Sequence, residues 1–596
     1  MQIGLSLSLT AQLRLSTSAY VVSGFDPALV FDFKSDYYKT GGAATTFSSA
    51  ITHSASSNAT MVDSDGLLKW RPHNILTKSN TFSTWNKGSS TIVDNAAVGP
   101  NGIANTASVV TFPNTGSYFY NLSVFAANAG DKVTLAAWVR SDTITSITFA
   151  TNGRTNPLNN ASEATLAVTS TWTLVSFEST VAGLDTGLFF IIGKFNATSP
   201  VSQIGDFEIY GAHVFRSDLG GMVNNPDRGD SYVPTTTTPV YLSRRGHHIY
   251  NGSAWVNEGI LHESEARTNL LNYSNDFTNA AWSKTNLTAT ANQATGPDGT
   301  VSAAEISATS GNNYCINSTA STTGTLSYFA KQNTERFFVV IRGPYGAGDW
   351  AIFDLSNGTV SKSPTHTDST AHMVPMGNGW YRCVLQSAQS ATANAFGISG
   401  SGASTISTSG TVYLYGAQLE AGATPSSYIP TAGASVTRAA ETLTVPAANL
   451  PYDSTNMSIQ MDGKVTYADT GGDNGKLIRW EKDVNNKLWA ALDSSGASTG
   501  SLYWTQRSLG VSDFTSSLPQ FSPDTNVPFN LSSRHGSTFL NGAVGGTAGI
   551  ADTTPTSFPD LSASNLSLGH NLMGTIGEFR MWDEDITDAG ITEAST

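Results

Sequence analysis

The sequence says nearly the same thing twice. SNTFSTWNK at 79–87 returns about 195 residues later as SNDFTNAAWSK at 274–284. With Asn80 set on Asn275, Phe82 falls on Phe277, and a two-residue insertion brings Trp85 onto Trp282. Both stretches lead to a glycine turn, Gly99-Pro100-Asn101-Gly102 and Gly296-Pro297-Asp298-Gly299. The echo continues in order. LAAWVR (135–140) answers to LSYFAK (326–331), TWTLVSF (171–177) to GWYRCVL (379–385), IYGAHV (209–214) to LYGAQL (414–419) and DSYVPT (230–235) to SSYIPT (426–431). Each copy is far longer than the roughly 20–50 residues of a solenoid repeat, so a whole domain is duplicated.

The composition says what kind of domain. Charged residues are 13% of the chain, against roughly 25% in an average soluble protein. Polarity comes instead from Ser, Thr, Asn and 55 Gly. Helix surfaces favour Glu, Lys, Gln and Arg, whereas Thr and aromatics favour strands. The expectation is an all-β chain of tandem jelly-roll or β-sandwich domains, with many short strands between turn residues.

Several function classes are disfavoured. A formal net charge of −14, with no basic run longer than Arg244-Arg245, argues against nucleic acid, whose phosphates call for Lys and Arg. No apolar run approaches the ~20 residues that cross a bilayer, so membrane insertion is not expected. The two cysteines, Cys315 and Cys383, stand in the second copy, without CxxC or Cys/His metal spacing, and read as buried free thiols.

MQIGLSLSLTAQLRL opens the chain without the basic start of a secretory signal. Ile3, Leu5, Leu7, Leu9, Leu13 and Leu15 alternate with small or polar residues, the period of a strand with one apolar face. A lone strand of this kind is unstable in water. It is either an edge of the chain's own first sheet or an attachment strand covered by another subunit or a larger assembly.

The chain divides into an N-terminal attachment segment (1–66) ending in the turn signal MVDSDG, a first module (67–236), a linker and hairpin (237–263) turning at Asn251-Gly252, a second module (264–440) and a last β-sandwich (441–596). In the first segment Leu29, Phe31 and Phe33 alternate as a strand. In the last domain FNLSSRHGSTFLNGAVGG reads as a hairpin turning at Asn541-Gly542, and the chain closes on a short helix.

ARTNLLNYSNDFTNAAWSK, GPDGT, GNGWYRC and YGAQLEAGATPSSYIPT resemble a module repeated in tailed-bacteriophage virion proteins of tail-fibre, tailspike and head-spike type, where it forms carbohydrate-binding-like jelly rolls. The resemblance spans most of 258–440. The first copy follows more loosely, with WRPHN in place of the ARTN lead-in. The last 150 or so residues resemble concanavalin-A-like or laminin-G-like sandwiches through STFLNG (537–542), LSLG (566–569) and GTIGEFRMWDEDITDAGI (574–591). Members of that family often bind sugars, and some hold calcium. Asp469–Asp473 is an oxygen-rich loop, but no calcium ligands carry over residue by residue.

These resemblances imply a fibre or spike subunit on the virion surface, made in the host bacterial cytoplasm. It would join other virion proteins through its N-terminus and meet host cell-surface polysaccharide. No cofactor is expected, although the concanavalin-A-like resemblance leaves room for a structural calcium ion. The Ile3–Leu15 stripe calls for a covering partner, and the phage resemblance implies a homotrimer. The competing readings are a glycan depolymerase and a purely structural spacer.

Sugar rings present apolar C–H faces that stack on aromatic side chains. Trp85, Trp282, Trp172 and Trp380 recur in both copies and read as core. Tyr345, Asp349 and Trp350 lie in the Gly-rich GPYGAGDWAIFD (343–354), which the first copy lacks, and are the candidate glycan contacts on an exposed loop; Trp504 is a weaker one. No catalytic residues are assigned. The chain has no GxSxG, HExxH or Walker loop, His247-His248 reads as a surface pair on a hairpin, and WDEDITD (582–588) as a solvated acidic stretch.

Overall fold

The computed structural model describes residues 19–596 except 124, 126–127, 156–160, 195–203, 344–347, 363–367, 401–408 and 470–474. It is all-β, built of antiparallel sandwiches, and its only described α-helices are Phe47–Ala50 and Thr587–Ala594. The expected attachment strand Ile3–Leu15 and the candidate Tyr345 lie outside the described residues, as does Asp473 of the oxygen-rich loop.

The first module is two five-stranded sheets. One runs in the order Thr173–Thr180, Lys132–Arg140, Gly205–Arg216, Ala107–Phe112, Thr91–Ala97; the other runs Ser162–Ala167, Ser146–Gly153, Leu188–Gly193, Tyr118–Ser123, Asn86–Gly88. Alternation places the core: Val175 and Phe177 turn inward, while Leu174, Ser176 and Glu178 stay outside. The second module repeats this strand order. There Tyr314–Gln332 and Trp380–Ser399 each run unbroken through both sheets, so the two halves join as one ten-stranded sheet.

The duplication holds down to single bonds. Trp85 and Trp282 each donate the indole N–H to a backbone carbonyl at 3.0 Å, of Lys78 and of Tyr273. Asn80 and Asn275 accept the amide of Gly211 and of Gly416, each at 3.1 Å. Ser79 pairs with the Tyr232 hydroxyl, and Ser274 with that of Tyr428, each at 2.8 Å. The repeated Asn, Ser, Tyr and Gly are therefore framework, satisfying buried polar groups where the strands cross.

The last sandwich is not made of 441–596 alone. Its central strand Met573–Trp582 pairs on one side with Asn456–Val465. On its other side it pairs with two strands from far upstream, Leu29–Asp32 and Ile260–Glu263. Thr52–Ser54 joins the facing sheet beside Thr442–Val445. Phe31, Phe33, Tyr38 and Ile260 share one core with Trp480, Trp504 and Phe579. Much of 1–66, and the strand that ends the 237–263 linker, are thus structural parts of this sandwich. The Leu29–Phe33 stripe finds both hydrogen-bond partners and apolar cover there. Asn541-Gly542 is a further correction. It lies inside the strand Leu540–Val544, and the hairpin turns earlier, between Gly536 and Leu540. Gly542 is required for close approach, since a Cβ there would sit 2.1 Å from the Trp504 ring. Trp504 itself is fully buried and is core.

Where the three bodies meet, five charged side chains are buried together. Arg244 bonds Glu263 at 2.8 Å and Glu441 at 2.7 Å, Arg438 bonds Glu263 at 3.1 Å, and Arg71 bonds Glu441. None is more than a few per cent exposed. Burial alone would raise both carboxyl pKa values. The guanidinium groups outweigh it, holding Glu441 well below the usual carboxylate range and Glu263 down at about 2. Arg244-Arg245, the longest basic run, is therefore interior. His247 is buried too, not a surface pair: its Nδ1 accepts the Val62 amide at 3.1 Å, and burial pushes its pKa down to about 3.

Candidate functional site

The outer face of the second module carries the best candidate. Along Phe337–Arg342, Phe338 and Val340 face the module core, and Val339 and Ile341 face the other way. Antiparallel pairing extends that outer face into two rows across four strands. One row is Ile316–Ala395–Ile341–Trp350, the other Tyr314–Gly397–Val339–Ile352. Every side chain in these rows is apolar or aromatic, or is absent in glycine. Val339, Ile341, Ile352 and Ala395 are buried, while Tyr314, Ile316, Phe337 and Trp350 remain half-buried around them.

At the rim the aromatics meet polar groups. The Arg336 guanidinium lies 4.4 Å from the Phe337 ring centroid and 3.7 Å from Asp354, the cross-strand partner of Phe337. The half-buried rings at the edge of this face, with a cation and a carboxylate at one end, can stack a sugar face and hydrogen-bond its hydroxyls.

The three sequence candidates separate. Tyr345 is not described. Trp350 is half-buried and belongs to the outer face. Asp349 opens the same strand but is buried, accepting the Ser369 hydroxyl, so it is not the exposed loop residue expected. Sequence reading missed Phe337, Arg336 and Tyr314. The available signal was FFVVIR, with hydrophobics on both parities, which marks a strand apolar on both faces.

The first module lacks this face. The equivalent rows are Tyr120–Ile191–Ala150–Glu163 and Tyr118–Gly193–Thr148–Thr165. Tyr118 and Tyr120 stack at 6.2 Å, but the far strand is polar. Of the matched tryptophans, Trp380 is buried, whereas Trp172 is half-buried under the Arg140 guanidinium.

Two other features bear on chemistry. Cys315 and Cys383 are both buried free thiols, and burial pushes Cys315 up to about 12. Among the described residues no group of three or more His, Cys, Asp or Glu could hold a metal ion. On the last sandwich, Asp32, Glu578 and Asp462 stand directly opposite one another on three adjacent strands. Burial, reinforced by the two neighbouring carboxylates, pushes Glu578 up to about 7, although Arg580 sits 2.6 Å away.

No family model matches the chain, and no curated protein matches it in sequence. Among solved structures it is similar to the binding domain of botulinum neurotoxin serotype D, at 13% identity over 26% of this chain and 39% of that one, with a TM-score of 0.22. It is also similar to the CBM40 module of the Ruminococcus gnavus IT-sialidase bound to α2,3-sialyllactose, at 12% identity over 24% of this chain and 84% of that one, with a TM-score of 0.20. The enzymatically active domain of tailspike protein 4 from bacteriophage CBA120 is similar at 14% identity over 24% of this chain and 21% of that one, with a TM-score of 0.20. The chain spans about two fifths of the length of the neurotoxin domain. Likenesses of this size assign no chemistry to particular residues.

Proposed function

We propose that the chain is a fibre- or spike-type virion subunit that binds host-surface glycan without cleaving it. The observation that supports this is the contrast between two copies of one framework, of which only the second carries the apolar outer face ending in Trp350. Framework residues are repeated because both copies need them. A face built in one copy only is a surface with a task of its own. The virion setting rests on the motif resemblance of residues 258–440, as do the homotrimer and attachment through the Ile3–Leu15 strand.

Stacking on one such face is weak, about −4 kcal/mol, or a millimolar Kd. Three copies engaging one surface raise the apparent affinity by ~10²–10⁴. The test is adsorption of the full chain to host cells, compared for wild type and Trp350→Ala with Phe337→Ala. Lost adsorption at an unchanged melting temperature supports the reading; unchanged adsorption sinks it. A second, hydrolytic reading would use the facing Asp462 and Glu578, two carboxyl groups that burial pushes up, because glycosidases act through a pair of carboxyl groups. Shortening of host polysaccharide by wild type, abolished in Glu578→Gln, would select it.

A further inference from the structure

Where the linker hairpin crosses the three bodies, a cleft of about 130 Å³ opens. Its walls come from four parts of the chain. The N-terminal hairpin supplies Met61, the linker hairpin Tyr250 and Trp255, the second module Met376, and the last sandwich Met573 and Asn526. A cavity of ~150 Å³ lined by aliphatic and aromatic groups admits a benzene-sized ring, so this space is ring-sized. Junctions between domains are where such sites concentrate.

The aromatic wall is held in place. Trp255 is clamped between two glycine turns, at Gly66 of the N-terminal hairpin and at Gly377 of the second module. A Cβ on Gly66 would lie 2.1 Å from the indole Cε2, and one on Gly377 would lie 3.1 Å from Cζ2. Both glycines have positive φ, +77° and +67°, so another residue would be strained as well as crowded. Tyr250 packs against the indole at 5.3 Å between centroids, inclined by 54°. Tyr250, Trp255 and Met376 are all half-buried, so the wall is reachable from solvent.

The polar groups set the chemistry. The charged side chains at the cleft already have partners. Glu263 is held by Arg244, Arg438 and Ser427, and Arg382 by Ser327 and the Ser426 carbonyl. Four neutral groups are free among the described residues: the Tyr250 hydroxyl, the His247 and His248 Nε2 atoms and the Asn526 side-chain amide. We infer that this cleft is a second binding site, for one uncharged hexopyranose ring, with the Tyr250–Trp255 wall meeting the apolar face of the sugar and Asn526, His248 and Tyr250 meeting its hydroxyls. The inference shares with the proposed function the premise that the chain meets glycans, but it uses none of the outer-face residues.

The test is saturation-transfer NMR on the full chain with uncharged methyl hexopyranosides, and with a methyl hexuronide as the anionic control. Wild type is expected to transfer saturation to at least one neutral glycoside and not to the hexuronide. In a Trp350→Ala background, where the outer face does not contribute, Met376→Phe, which fills the cleft, is expected to weaken binding at least tenfold. Should Met376→Phe lower the melting temperature, Asn526→Ala decides, with binding expected to fall at least threefold. No transfer in wild type overturns the inference, as does equal transfer to the hexuronide or undiminished binding in the deciding variant. Failure here leaves the outer-face reading intact, because adsorption of Trp350→Ala tests that surface alone.

Discussion

Trp350 and Glu163 occupy one position in two copies of the same fold: Trp350 is the cross-strand partner of Ile341, and Glu163 that of the equivalent Ala150. Neither side chain belongs to its module's main core. A substitution there acts on the surface and not on the frame. Trp350→Ala should therefore reduce adsorption to host cells at least tenfold. Glu163→Ala should leave adsorption unchanged, and both should melt within a few degrees of wild type. Adsorption and thermal melting measured on the same preparations check this.

Glu441 joins Arg71 and Arg244 in the buried junction. Glu441→Gln would leave Arg71 without its countercharge in a dry site, and Arg244 with Glu263 alone. Removing one partner of a buried pair costs about 3–5 kcal/mol, so denaturant unfolding should show a loss of that size. Because Arg71, Arg244 and Glu441 come from different parts of the chain, the loss should appear across the bodies they join, and hydrogen exchange should reveal where.

The junction also fixes the acid limit. Glu263 titrates at about 2 in the folded protein, below its ordinary value of 4.5. Its contribution to stability is present above about pH 4.5 and disappears as pH falls towards 2. Melting temperature should decline across that window, and less steeply in Glu263→Gln, which starts from a lower plateau.

Glu578 acts in the opposite sense. Its folded value, about 7, lies above the ordinary 4.5. The folded state holds this proton more tightly than the unfolded chain, so stability falls as pH rises from about 4.5 through 7. Wild type should melt lower at pH 8 than at pH 5.5, and Glu578→Gln should flatten that slope. An identical slope in the variant would contradict the assignment.

Truncation tests the proposed attachment role against a role in folding. Removing residues 1–18 should leave the melting temperature unchanged and abolish incorporation into particles. Removing residues 1–46 takes away Leu29–Asp32, with Phe31, Phe33 and Tyr38 of the last sandwich's core. That longer truncation should unfold the C-terminal sandwich, although residues 441–596 are intact; limited proteolysis would show the cleavage there.

Much of this protein follows from the sequence by itself. Strand periodicity, turn residues and the repeated motifs are local signals, and they determined an all-β chain with one module duplicated around Trp85 and Trp282. They also marked Trp350 as a residue without a counterpart. What they could not reach were pairings between distant segments. Alternation says that Leu29, Phe31 and Phe33 need a partner strand, but not that the partner is Met573–Trp582. A side chain's charge suggests exposure, yet Arg244 and Glu441 are interior because each finds the other there. The same holds for Gly542, whose glycine serves the Trp504 ring and not a turn. Only the tertiary structure decided these, because strand register and charge pairing depend on which surfaces meet, and a linear pattern records only what each surface requires.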